Sequence, residues 1–135
     1  MSENNTFKPA GYNSLSPYLI VKGTDKMVRM LEQVFQAAMT RKFQRPDGAL
    51  THAELLIDDS VTMLSEATGS FPPNQFLLHV YVPNAMETYQ KAIDFGCTGV
   101  QAPVQKDDDA DVRGMFRDFA GNVWAVSTQQ AGTSE

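Results

Sequence analysis

Along this chain the spacing of apolar positions switches between period two and period three to four, and it goes through that cycle twice. SPYLIV, from Ser16 to Val21, predicts a strand, broken by Lys22-Gly23-Thr24-Asp25, with Thr24 or Asp25 as the cap of a following helix. Met27, Met30, Leu31, Val34 and Phe35 then recur at three-and-four spacing, the mark of an amphipathic helix facing a core. Ala38 to Phe43 predicts a short strand and Pro46-Asp47-Gly48 a turn. Leu50 to Ile57 and Val61 to Leu64 flank Asp58-Asp59-Ser60 as a hairpin. The order then repeats. FLLHVYV, from Phe76 to Val82, is a strand, and Pro83-Asn84 opens a helix through Ala85, Met86, Tyr89, Ala92, Ile93 and Phe95 that Gly96 ends. Gly99 to Val104 is a strand, and a closing hairpin follows.

The chain therefore reads βαβββ twice, with a period of about 60 residues. LIVKGTDKMVRMLEQVF in the first half matches VYVPNAMETYQKAIDFG in the second. With one helix to four strands, neither half can cover the second face of its sheet, so the two sheets are expected to pair around a shared concavity. A ferredoxin-like fold needs two helices per four strands and is set aside. The expected fold class is α+β, with residues 14–66 as the first module, 67–75 as a linker rich in Gly and Pro, and 76–128 as the second module. Residues 1–13 and 129–135 read as flexible tails.

Composition narrows the function more than the fold. An apolar fraction of 42% suffices for a core, and no run approaches the roughly 18 apolar residues of a membrane span. The polar N-terminus lacks a signal layout and Cys97 stands alone, which suits the reducing cytoplasm and excludes an internal disulfide. Cys97 follows Gly96 beside no basic residue and reads as packing filler, as do Met27, Met30, Met63 and Met86. Net charge is −5 and the eleven Lys and Arg are dispersed, which argues against nucleic acid as a partner. The run Asp107-Asp108-Asp109-Ala110-Asp111 reads as a solvated loop, without the spacing of a calcium loop.

Asp111 to Thr128 is the most informative stretch. Arg113 to Asp118 and Val123 to Thr128 are strands around the turn Phe119-Ala120-Gly121-Asn122, with Gly121 at the positive-φ position and Asp118 free to bond back to the turn. This pattern, R-G-x-F-x-D-x-x-G-N-x-W-x-V-x-T, resembles the last hairpin of the vicinal-oxygen-chelate superfamily, which holds the glyoxalase I, bleomycin-resistance and extradiol-dioxygenase proteins. Within it the chain looks most like the PhnB-type glyoxalase-like proteins, over residues 14–128. The PhnB-type pattern D-P-x-G-H is Asp118-Phe119-Ala120-Gly121-Asn122 here, lacking its Pro and His. The resemblance implies the glyoxalase/bleomycin-resistance fold, in which two βαβββ modules form an open half-barrel. It also implies a small-molecule ligand and a homodimer.

Alternation assigns faces. Trp124 is too bulky and apolar to be left wet and is placed against a helix, which turns Ala125 to the lumen. A two-residue loop at Asp58-Asp59 pairs Glu54 with Met63 and His52 with Ser65, on the lumen face. The resemblance places the family's metal ligands at Ser16, Met63, Leu77 and Ala125, none of which is His, Glu or Asp. A divalent ion cannot be held by that set, so no metal and no other cofactor is expected.

Both histidines, His52 and His79, fall on the lumen face with Glu54 and Tyr81. Three readings stay open: plain hydrogen-bonded polarity, an acid–base cluster of His79, His52 and Glu54, and a metal held by His52, His79 and Glu54 at a non-family position. Tyr18, Met63, Leu77, Tyr81 and Phe116 suit an apolar, partly aromatic ligand, and Arg113 suits a carboxylate or phosphate unless it pairs with the acidic loop. The chain reads as a binding protein for a small, partly apolar molecule, without the family metal. The alternative is a glyoxalase-like lyase or isomerase.

Overall fold

The computed structural model describes residues 7–130. Two four-stranded sheets are each crossed by one helix. The first module runs β1 (Tyr18–Val21), α1 (Thr24–Phe35), β2 (Ala38–Gln44), β3 (Leu50–Ile57) and β4 (Ser60–Glu66). The second runs β5 (Leu77–Tyr81), α2 (Ala85–Phe95), β6 (Thr98–Gln105), β7 (Asp111–Arg117) and β8 (Val123–Gln129). Strand orders are β1-β4-β3-β2 and β5-β8-β7-β6, so each module returns its last strand to lie parallel beside its first. The doubled βαβββ order is as the apolar pattern predicts, and the open, unclosed sheets are as the resemblance implies.

Register follows the hydrophobic alternation. Ile57 pairs with Ser60 around Asp58-Asp59, which sets Glu54 opposite Met63 and His52 opposite Ser65, the pairing expected from a two-residue loop. β1 begins at Tyr18, because Pro17 has no N–H to donate; its carbonyl still accepts from Met63 N.

The two helices begin by different means. Asn84 accepts from Glu87 N and caps α2, and Gly96 at φ 117° ends it. On α1 neither Thr24 nor Asp25 is the cap. Gly23 takes that position at φ 102°, and Glu66, at the end of β4, accepts from Gly23 N, Thr24 N and Thr24 Oγ1. A carboxylate from another element thus meets the N-terminal N–H groups that no local side chain reaches.

One core spans both modules. Met27, Met30 and Leu31 of α1 are fully buried with Leu19, Leu55 and Leu64 of the first sheet and with Val126 of the second. The Phe35 ring lies 5.1 Å from that of Trp124 and 6.1 Å from that of Phe116. Trp124 is 1% exposed and sits on the helix side, which turns Ala125 to the concave face as alternation requires. Phe116 corrects a sequence expectation. It is Trp124's cross-strand partner and fully buried, so it belongs to the helix-side core and not to the lumen.

Loop segments finish the edges. Asn74 of the linker bonds Ile20 through its backbone N–H and its side-chain oxygen, and reaches Tyr18 O through its amide nitrogen, covering the free edge of β1. Tyr12 and Asn13, expected in the first tail, are anchored: Tyr12 donates to Glu54, and Asn13 accepts from Val61 N. The rest of that tail before residue 7, and residues 131–135 of the other, lie outside the described residues; Gln129 closes β8. Among the described residues no helix is long and apolar enough to cross a membrane.

Candidate functional site

Each sheet has one face turned away from the helix-side core, and these two faces carry matching polar pairs. On the first, Tyr18 Oη and Ser65 Oγ are 2.6 Å apart, joining β1 to β4. On the second, His79 Nε2 and Ser127 Oγ are 2.9 Å apart, joining β5 to β8. In both, the serine lies two residues beyond the register partner of the first-strand residue: Met63 for Tyr18 and Ala125 for His79. The internal repeat therefore extends to the side chains that face the lumen.

On the first sheet a chain of hydrogen bonds runs through the predicted residues. His52 Nε2 meets Glu54 Oε2 at 2.7 Å, and His52 Nδ1 meets Ser65 Oγ at 3.1 Å. Glu54 is buried, and Tyr12 Oη donates to its other oxygen at 2.5 Å. Burial would raise the Glu54 pKa, but the hydrogen bonds from Tyr12 and His52, with the charge of Arg41, outweigh it and hold the carboxyl below its usual range. The ring of His52 lies between those of Tyr18 and Phe43, at 5.8 and 5.6 Å. A cavity of about 620 Å³ opens beside Tyr18 and Ser65, with Ile20, Arg45 and Phe71 in its walls.

On the second sheet a cavity of about 380 Å³ has an apolar floor of Leu77, Met115 and Ala125, with Val104 at its side and His79, Ser127 and Arg113 converging on it. Tyr81 packs edge-on against His79, with ring centroids 4.7 Å apart, and donates to Asp111 Oδ2. Arg113 takes the salt-bridge alternative: its guanidinium reaches Asp109 at 2.6 Å and Asp111 at 2.9 Å, and donates to Ser127. The hydrogen bond to Asp109 is the main reason the guanidinium pKa is raised, and Arg113 in turn holds Asp109 low. Asp111 corrects the reading of the acidic run as solvated. It is buried at the start of β7 under Tyr81 and Arg113.

The predicted acid–base set is thus divided. His52 and Glu54 touch each other on the first sheet, and His79 pairs with Ser127 on the second, so the three are not assembled into one cluster. Among the described residues no group of three His, Cys, Asp or Glu gathers closely enough to hold a metal ion. Of the four positions at which the resemblance places metal ligands, Leu77 and Ala125 form apolar floor, Met63 is half-buried between Tyr18 and Glu54, and Ser16 Oγ is buried with no hydrogen-bond partner among the described residues. These residues do not fit a divalent ion. Cys97 is buried in the core, and burial first, then the Asp118 charge, pushes its thiol up to about 11.

Sequence reasoning overlooked Ser65, Ser127 and Tyr12 as parts of the site. The serines were legible as lumen-face neighbours of the histidines. Tyr12 had no signal, because its contact depends on where an irregular segment lies.

No family model matches this chain, and no curated protein sequence does. Solved structures do. TioX from Micromonospora sp. ML1 superposes with a TM-score of 0.68 at 19% identity, covering 90% of this chain and 100% of that one. A glyoxalase/bleomycin resistance protein/dioxygenase family enzyme from Burkholderia phytofirmans PsJN gives 0.65 at 16% identity, covering 84% and 95%. The genomically encoded fosfomycin resistance protein FosX from Listeria monocytogenes gives 0.63 at 14%, covering 88% and 94%. At these identities the likeness is one of architecture, and the architecture is that of the glyoxalase/bleomycin-resistance fold.

Proposed function

We propose that this chain is a glyoxalase/bleomycin-resistance-like protein of the PhnB type that binds a small, partly apolar molecule, without the divalent metal of the metal-dependent relatives. The observation that carries the reading is the second-sheet cavity, where Leu77, Met115 and Ala125 form an apolar floor and His79, Ser127 and Arg113 converge on one side. An apolar body rests on the floor, and a polar group meets the imidazole and the serine. Fosfomycin resistance among the structurally similar proteins is consistent with small-molecule capture on this fold.

The molecule works as a cytoplasmic homodimer in this reading. Leu77 and Tyr81 are 69% and 59% exposed on the concave side, an apolar surface that a second copy would cover. A thermal-shift screen of small amphipathic molecules tests the proposal. Stabilisation rising with the logarithm of ligand concentration, and lost in Ala125→Glu, is expected. Stoichiometric zinc, nickel or iron in purified protein would overturn the metal-free reading.

The 2.7 Å contact of His52 with Glu54 favours a second reading, proton transfer next to a carbonyl, as in a lyase or isomerase. Exchange of α-protons of a small ketone in deuterated water, followed by NMR and abolished in His52→Gln, is its test.

A further inference from the structure

The concave face of the first sheet holds a carboxylate, an imidazole and a hydroxyl in hydrogen-bonded series beside a cavity that the ligand-binding reading does not use. Glu54 can only accept, so its 2.7 Å bond fixes the proton of His52 on Nε2. Nδ1 is then a lone pair, and it faces Ser65 Oγ at 3.1 Å and Tyr18 Oη at 3.3 Å. The two hydroxyls are 2.6 Å apart. The shortest consistent path runs from Tyr18 to Ser65, from Ser65 to His52, and from His52 to Glu54. Glu54 is itself locked by Tyr12 Oη and by Arg41, 3.7 Å away. Ser65 and Tyr18 are the members of this series that line the cavity of about 620 Å³.

We propose that Ser65 is an activated nucleophile that takes an acyl group from small, uncharged esters bound against Ile20 and Phe71, with His52 as its base and Glu54 as the positioning residue. This goes beyond the proton-transfer reading, which needs His52 and Glu54 but no covalent step. In the first half-reaction Ser65 Oγ forms a bond to the acyl carbon while its proton passes to His52 Nδ1. The tetrahedral oxyanion lies beside Tyr18 Oη, the hydroxyl donor nearest to Oγ. As it collapses, the carbon–oxygen bond to the alcohol breaks and Nδ1 returns the proton to the departing oxygen. Water then repeats the sequence on the acyl-serine, releasing a carboxylic acid and restoring Ser65. Phe71 and Ile20 supply an apolar wall for the acyl or alcohol chain. Of the charged groups in the cavity wall, Glu66 is engaged by the N-terminus of α1 and Arg45 by Asp47, so neither is left to demand a charge on the substrate.

A fluorophosphonate probe and p-nitrophenyl acetate test this on the whole chain. One phosphonyl group per chain, mapped to Ser65 by peptide mass spectrometry, and a stoichiometric burst of p-nitrophenolate are expected. Ser65→Ala abolishes both, and His52→Gln slows labelling on the order of 10²-fold. Val100→Ser, an exposed change on β6, keeps the wild-type rate. Glu54→Gln separates positioning from folding. His52 is faced by Glu54 with Tyr12 and Arg41 behind it, and by Tyr18, Ser65 and the uncharged Phe43 ring. Loss of the carboxylate therefore lowers kcat for p-nitrophenyl acetate with KM and the urea midpoint unchanged, and Glu54→Asp restores part of it, whereas mere loosening would lower the urea midpoint. Should Ser65→Ala fail to fold, Ser65→Cys preserves the packing and shifts labelling to iodoacetamide. A folded wild type that is not labelled, a label on any other residue, or equal labelling in His52→Gln would overturn the proposal. The experiment reads the first sheet alone, so it decides the matter even if no ligand binds the second.

Discussion

Trp124 donates its indole N–H to Asp118 Oδ2 at 2.8 Å, and the same buried carboxylate accepts the backbone N–H groups of Ala120 and Asn122. One side chain therefore shapes the β7–β8 turn and fixes the largest ring of the core. Asp118→Ala leaves these three donors, and the Asn122 amide that also reaches Asp118 Oδ2 at 3.1 Å, to find new partners, each costing about 1–3 kcal/mol if buried unpaired. The expected loss is at least about 3 kcal/mol, read as a lower urea midpoint at unchanged m-value.

Glu66 caps a helix to which it does not belong. Burial would raise its pKa, but the backbone donors of Thr24 and Gly23 and the Thr24 hydroxyl outweigh it and lower the folded value. Its contribution is therefore complete above the unfolded carboxyl pKa of about 4.3 and is lost as pH falls through the lower folded value. Glu66→Gln should cost about 1 kcal/mol at neutral pH and flatten this part of the stability–pH curve, measured by denaturant titration from pH 7 to 3.

Cys97, with its thiol pushed up to about 11 and its side chain in the core, should not react with a disulfide reagent at pH 8 in the folded protein. One thiol per chain should react once denaturant is added. The reaction followed by absorbance gives the result directly.

Gly114 faces Pro103 across β7 and β6. A Cβ there would come within 2.8 Å of the Pro103 ring and 3.0 Å of its backbone nitrogen, so neither strand can yield cheaply. Gly114→Ala is expected to cost about 1–3 kcal/mol by overpacking, seen as a lower thermal midpoint.

If a second copy covers the concave side, sedimentation should give twice the 14.9 kDa of the chain. Leu77→Asp, which puts a charge in the middle of that surface, should yield a monomer with an unchanged circular-dichroism spectrum.

The doubled βαβββ order, the register of the β3–β4 hairpin and the direction of Trp124 can all be read from the order of residues along the chain. Those follow from local rules: period two for half-buried strands, period three to four for a one-sided helix, and a two-residue turn that leaves a single pairing. What lies beyond one element's reach depends on how the strands and helices pack. Alternation leaves Phe116 to be assigned by its cross-strand partner, and pairing with Trp124 draws it into the core. Glu66 reaches the start of α1 only because β4 lies parallel beside β1. Glu54 and His52 meet because they share one face of β3, whereas His79 lies on another sheet and finds Ser127 instead. Side-chain direction is a property of the local backbone and can be read from spacing. Side-chain company depends on how distant segments pack, and spacing carries no record of that.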